Sequence, residues 1–333
     1  MAAAVALGLA RFAYALLLPS MRADLGWTYF TAGAMNTVNA AGYLAGALLA
    51  PRIFSRWDAR RAMLWASAAT AGLLAAHGIV RHEAVLYGLR ALAGGAGAIT
   101  FVGGGLLAAR LATTPGAAPG LVLGLYYGGT GVGIILSALT VPALDWRMAW
   151  AALGGLAAMA TALTARGTRS LAAAPPGGAV RVPLALRPYA FGLAGYALFG
   201  LGYIGYMTFI VTLLREQGLP PPFITAFYAL LGAGVIASSW LWAGMLQRYR
   251  GGGPLSLLNA LLATATLGPV WSSHPAAALA SGLLFGGVFL SVVASTTALV
   301  RHNAPQPAWA SGIAAFTVVF AAGQIAGPSL VGV

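Results

Sequence analysis

The chain opens Met1-Ala-Ala-Ala-Val-Ala-Leu-Gly-Leu-Ala-Arg11-Phe-Ala-Tyr14-Ala-Leu-Leu-Leu-Pro19, and this stretch decides the fold. An apolar helix of about 20 residues crosses the ~30 Å hydrocarbon core of a bilayer. Arg11 is the one charge here, near the middle. An arginine at that depth costs about 2.5–3.5 kcal/mol on insertion scales. A second arginine, Arg90, lies inside the fourth apolar stretch. No carboxylate lies within either stretch. Each guanidinium is therefore either a structural group bonded to main-chain carbonyls, or a cavity-facing group that clamps a carboxylate or phosphate. The opening is not a cleavable leader, since it lacks a basic start and Arg11 interrupts its apolar run.

The rest of the chain has the same character. It is 60% hydrophobic and only 7% charged, against about 25% charged in an ordinary soluble domain. Spans are expected near 2–19, 29–51, 62–80, 84–109, 119–141, 148–165, 189–214, 222–246, 254–271, 275–300 and 307–331. This is an all-α membrane protein. Cysteine is absent, which excludes disulfide and thiol chemistry.

The net charge of +13 is a topology signal. All 18 basic residues are arginines. Loops on one side hold Arg52, Arg56, Arg60, Arg61, Arg110, Arg166, Arg169, Arg181, Arg187, Arg248, Arg250 and Arg301, against Asp58 alone. Arg22, Arg81, Arg147 and Arg215 on the other side are balanced by Asp24, Glu83, Asp145 and Glu216. The positive-inside rule then puts the N-terminus and the basic loops in the cytoplasm. Contact with anionic lipid at that face follows, and nucleic-acid binding does not.

The polar segment 166–188 contains Ala172-Ala-Ala-Pro-Pro-Gly-Gly178 and reads as a cytoplasmic linker between residues 1–165 and 189–333. The two parts resemble each other. Gly8-Leu-Ala-Arg-Phe-Ala-Tyr14 matches Gly200-Leu-Gly-Tyr-Ile-Gly-Tyr206, with Arg11 opposite Tyr203. Gly129-Thr-Gly-Val-Gly133 in span five matches Gly323-Gln-Ile-Ala-Gly327 in span eleven. Two six-helix bundles related by a pseudo-two-fold axis are expected, as in many secondary transporters. With eleven spans present, the second bundle lacks its twelfth, and truncation of the sequence is the favoured reason.

The candidate site residues follow from depth and polarity. Arg11 is the principal candidate. Tyr14 stands one turn along. Asn36, Asn39 and Tyr43 share one face of span two. Arg90 precedes Gly94, Gly95 and Gly97. Tyr203 and Gln324 complete the set. Each has a plain alternative as an interhelical hydrogen-bond former or packing residue. The histidines and acids sit at span ends or in loops, without metal-ligand spacing, so no metal or cofactor is expected. An intramembrane enzyme would need paired carboxylates or a nucleophile with its base at depth, and none is visible. A regulatory or scaffold protein remains an alternative class.

Together these features resemble the major facilitator superfamily. The resemblance rests on Arg90-x-x-x-Gly94, on Asp145-Trp146-Arg147, on the glycines of span five and on Gly323-x-x-x-Gly327-Pro328. The turn after span two keeps Gly46 and Arg60-Arg61 but has Ala50 where the superfamily carries an aspartate. Gly8 to Pro19, Asn39-x-x-Gly-Tyr43 and Gly323-Gln324 resemble the YbfB/YjiJ branch more narrowly. The resemblance implies a bacterial inner-membrane carrier working by alternating access. The positive interior then suggests a small organic anion as substrate. An exporter of amphipathic drugs or metabolites is the alternative, and a monomer is favoured.

Overall fold

The computed structural model describes residues 1–111, 114–116, 119–171, 184–305 and 308–331. Eleven long helices account for nearly all of them. We label these α1 (Ala4–Leu25), α2 (Tyr29–Arg56), α3 (Ala59–His77), α4 (Glu83–Leu111), α5 (Pro119–Thr140), α6 (Trp146–Gly167), α7 (Ala190–Glu216), α8 (Pro221–Leu241), α9 (Gly253–Trp271), α10 (Pro275–Asn303) and α11 (Trp309–Val331). A six-residue helix, Ala243–Arg248, follows α8. Eight of the long helices are apolar enough to cross a membrane by length and composition alone. The other three, α2, α3 and α11, have spanning length and pack among them.

Local signals set the ends. Asp58 accepts from the backbone N–H groups of Arg60 and Arg61, and Asp145 from those of Arg147 and Met148, capping α3 and α6. Thr28 caps α2 through the N–H of Thr31. Gly26 ends α1 in the left-handed region at φ 67°.

Helix packing repeats between the first six helices and the last five. In the first set α2 packs on α4, α3 on α4, and α1 on α5. In the second set α8 packs on α10, α9 on α10, and α7 on α11. The contacts are backbone to backbone at matching places. A Cβ on Gly8 would stand 2.6 Å from Cα of Gly133 on α5; its counterpart Gly200 would meet the carbonyl of Phe320 on α11 at 2.5 Å. The internal sequence match therefore marks interhelical approaches that only glycine permits. The expected linker lies largely at 172–183, outside the described residues.

The two sets meet along a seam. Its main contacts are α5 with α8, α2 with α11, and the C-terminal half of α1 with α7. At the arginine-rich end Ser239 Oγ donates to the carbonyl of Gly124 at 2.9 Å. At the other end Tyr29 donates its hydroxyl hydrogen to Glu216, while Arg22 lies 4.0 Å from the Tyr29 ring centroid. The one ion pair among the described residues, Arg147 to Asp24 at 2.9 Å, also sits at this arginine-poor end, with Trp146 donating to the same carboxylate.

Candidate functional site: a guanidinium on the seam

The N-terminal half of α1 is not an α-helix. Residues Ala4–Phe12 form a π-helix, and the Ala13 N–H closes onto the Gly8 carbonyl at 3.1 Å. From Tyr14 onward the helix is α. π-segments are rare and frequent at functional sites. The wider turn separates Arg11 from Tyr14 around the axis, so the two do not share partners as α spacing would suggest.

Arg11 is only 4% exposed. Its Nη2 donates to Gln324 Oε1 across the seam at 2.8 Å. Gln324 in turn donates through Nε2 to the hydroxyl of Tyr203. The Tyr43 ring lies under the guanidinium, 5.3 Å from its carbon. Nε of Arg11 is buried without a hydrogen-bond partner. The structure thus joins Arg11, Tyr203 and Gln324, which the sequence reading placed in separate spans.

Arg90 stands differently. Its Nη1 donates to the Ala10 carbonyl at 3.1 Å, its Nη2 to Asn36 Oδ1 at 2.6 Å, and its Nε makes a long bond to the Met35 carbonyl at 3.5 Å. Tyr14 stacks on it at 4.6 Å. The Tyr14 hydroxyl is itself committed to the Ala32 carbonyl at 2.9 Å. Asn39 donates to the Arg90 carbonyl at 2.9 Å, holding α2 against α4. Asn36 continues across the seam to Thr208 Oγ1 at 2.7 Å. Arg90, Asn36, Asn39 and Tyr14 thus form a bonded scaffold beside Arg11, with main-chain oxygens as its principal anchors.

Two seam contacts had no sequence signal. Thr208 lies among apolar residues of α7, one turn before Thr212, and Tyr228 Oη donates to the Phe12 carbonyl at 2.6 Å from α8. Tyr43 was visible as the continuation of the Asn36, Asn39 stripe.

The arrangement presents one positive charge with an unpartnered N–H on the seam, bonded through Gln324 to the second set of helices. It offers no nucleophile with a base, and among the described residues no cluster of metal ligands. Among solved structures, the chain is similar to the human organic anion transporter MFSD10 (TETRAN), at 15% identity and TM-score 0.63 over 99% of this chain and 91% of that one. It is similar to the nucleoside transporter NupG at 14% identity and TM-score 0.75, over 99% and 89%. A bacterial homologue of the human lysosomal transporter Spinster, inward-facing and unoccupied, matches at 14% identity and TM-score 0.65, over 98% and 80%. No curated protein matches the sequence. The profile of the family described as uncharacterised MFS-type transporter YbfB matches residues 3–333. The chain therefore belongs to the YbfB family of major facilitator superfamily transporters.

Proposed function

We propose that this transporter moves a small organic anion by alternating access, with Arg11 as the anion's principal contact. One observation carries the reading. Arg11 is a permanent charge sealed in the seam; its cross-seam partner is a neutral amide, and its Nε is unpartnered. A charge in a dry interior is strongly disfavoured unless paired. A carboxylate or phosphate oxygen would fill the open N–H and neutralise the charge. Arg90 is the weaker candidate for such a ligand, because each of its three nitrogens already donates to an oxygen of the protein.

The geometry also supports a link between binding and movement. Gln324 and Tyr203 belong to the second set of helices and Arg11 to the first. Separating the sets breaks the Arg11–Gln324 bond and leaves the guanidinium free to take an anion in place of the amide. Substrate chemistry has to come from these side chains, since the fold neighbours are named for anions and nucleosides alike. The arginine-rich end faces the cytoplasm of a bacterial inner membrane in this reading, with the N-terminus inside.

Counterflow in proteoliposomes tests the proposal. Labelled organic acid should accumulate against a preloaded unlabelled pool, and Arg11→Gln should abolish exchange while the protein remains folded. Normal exchange by that variant overturns the assignment.

A further inference from the structure

We infer that the transported anion is an aromatic carboxylate. The inference rests on the anion reading above and adds the chemistry of the opposite wall. Tyr196, Phe199, Tyr203 and Tyr206 lie at i, i+3, i+7 and i+10 on α7, and so share one face. Their rings form a near-parallel series with two rings of α10. Tyr196 stacks on Phe199 at 5.4 Å and 21°, and Phe199 on Tyr203 at 4.9 Å and 19°. Tyr203 and Phe289 lie 6.1 Å apart at 12°, Phe289 and Phe285 5.2 Å apart at 27°, and Phe285 and Tyr206 4.3 Å apart at 18°.

The middle of this series adjoins the charge. The Tyr203 hydroxyl receives Gln324, and the other end of Gln324 receives Arg11. Phe289 meets Phe12 edge-on across the seam at 5.6 Å and 84°. One wall of the seam is therefore a guanidinium backed by the Tyr43 ring, and the other is a set of mutually stacked rings that Phe320 also joins. A carboxylate that replaces Gln324 Oε1 on Arg11 points its own substituent toward Tyr203 and Phe289. A planar ring there packs edge to face against the series, as Phe12 does against Phe289. A saturated ring of the same size keeps the charge pairing and loses the ring-to-ring contact. Ring pairing beyond area burial corresponds to about three- to ten-fold in affinity.

The test uses two matched pairs on the full-length purified protein: benzoate with cyclohexanecarboxylate, and phenylacetate with cyclohexylacetate. Benzylamine serves as the cationic control. Dissociation constants come from calorimetric titration, and melting curves confirm folding. Each aromatic acid should bind about three- to ten-fold more tightly than its saturated partner. Phe289→Leu, and independently Phe199→Leu, should bring that ratio toward one. Equal affinities within both pairs overturn the aromatic class and leave the anion reading standing. Binding of benzylamine alone, or of none of the acids, overturns both.

Discussion

Arg90 Nη1 donates to the carbonyl of Ala10 at 3.1 Å, so the second buried arginine holds the peptide unit that joins Ala10 to the first. The two guanidiniums therefore have different work. Arg90 fixes the π-helical backbone of α1 and, through Asn36, the neighbouring helix. Arg11 projects from that fixed backbone onto the seam. Arg90→Lys keeps the charge and loses the fork that reaches Ala10 and Asn36. It should lower stability by about 3 kcal/mol or more, the scale for leaving a buried charge poorly paired. A melting temperature equal to the parent protein's would contradict this role.

Arg11→Gln should give the opposite pattern. The substitution removes a buried charge with an unpartnered Nε and leaves an amide that can still meet Gln324. The melting temperature should stay level or rise, since replacing poorly compensated buried charge is often neutral or stabilising. Counterflow should fall to the background of empty liposomes. A steep fall in melting temperature would place Arg11 among the scaffold residues instead.

The arginine-poor end is held by the bond from Tyr29 to Glu216, with Phe209 edge-on to the Tyr29 ring. Beside it, Ser20 and Arg215 help line a cavity of about 80 Å³ between α1 and α8. The native chain has no cysteine, so Ser20→Cys provides a single reporter without further changes. In intact cells a membrane-impermeant maleimide should label this cysteine several-fold faster once Tyr29→Phe is added. No change in rate would show that the tyrosine does not hold this end shut. Labelling only after the membrane is broken would reverse the proposed orientation.

Glycine substitutions should separate by what a Cβ would meet. Gly133→Ala places its methyl 2.5 Å from the Ala4 carbonyl and 2.9 Å from Gly8 Cα. It should cost about 1–3 kcal/mol through overpacking. Gly72 on α3 has nothing within 4 Å of the same position, and Gly72→Ala should be neutral or stabilising by up to about 1 kcal/mol. Comparable melting temperatures for the two variants would refute the close packing of α1 on α5.

Much of this was legible in the residues alone. The apolar stretches give eleven helices close to their observed bounds, because membrane-spanning length and apolarity are set by the bilayer rather than by tertiary detail. The pairing of Gly8 with Gly200 was readable as a repeat, and the structure supplies its physical reason in matched backbone contacts. The site was readable only as a set of polar residues at depth. Nothing in the order of the chain says that Gln324 meets Arg11, 313 positions away, or that Arg90 turns to the main chain while Arg11 does not. The π-helix hid a second point. Its turn is wider than that of an α-helix, so the spacing of Arg11 and Tyr14 misplaces one relative to the other. Thr208 gave no warning because a threonine in an apolar helix ordinarily bonds its own preceding turn, which it also does here.

The contact of Gly8 with Gly133 has a mechanical consequence. Where Gly8 meets Gly133 there is no side chain to yield, and α5 comes as close to α8 where Gly131 meets the Gly232 carbonyl, with the side chains of Ile236 and Ile135 packed beside it. A flexible contact would absorb a small displacement by rotamer change. Main chain resting on main chain cannot. A small displacement of the segment that carries Arg11 must therefore be followed by α5, as a push rod passes on a stroke that a spring would swallow.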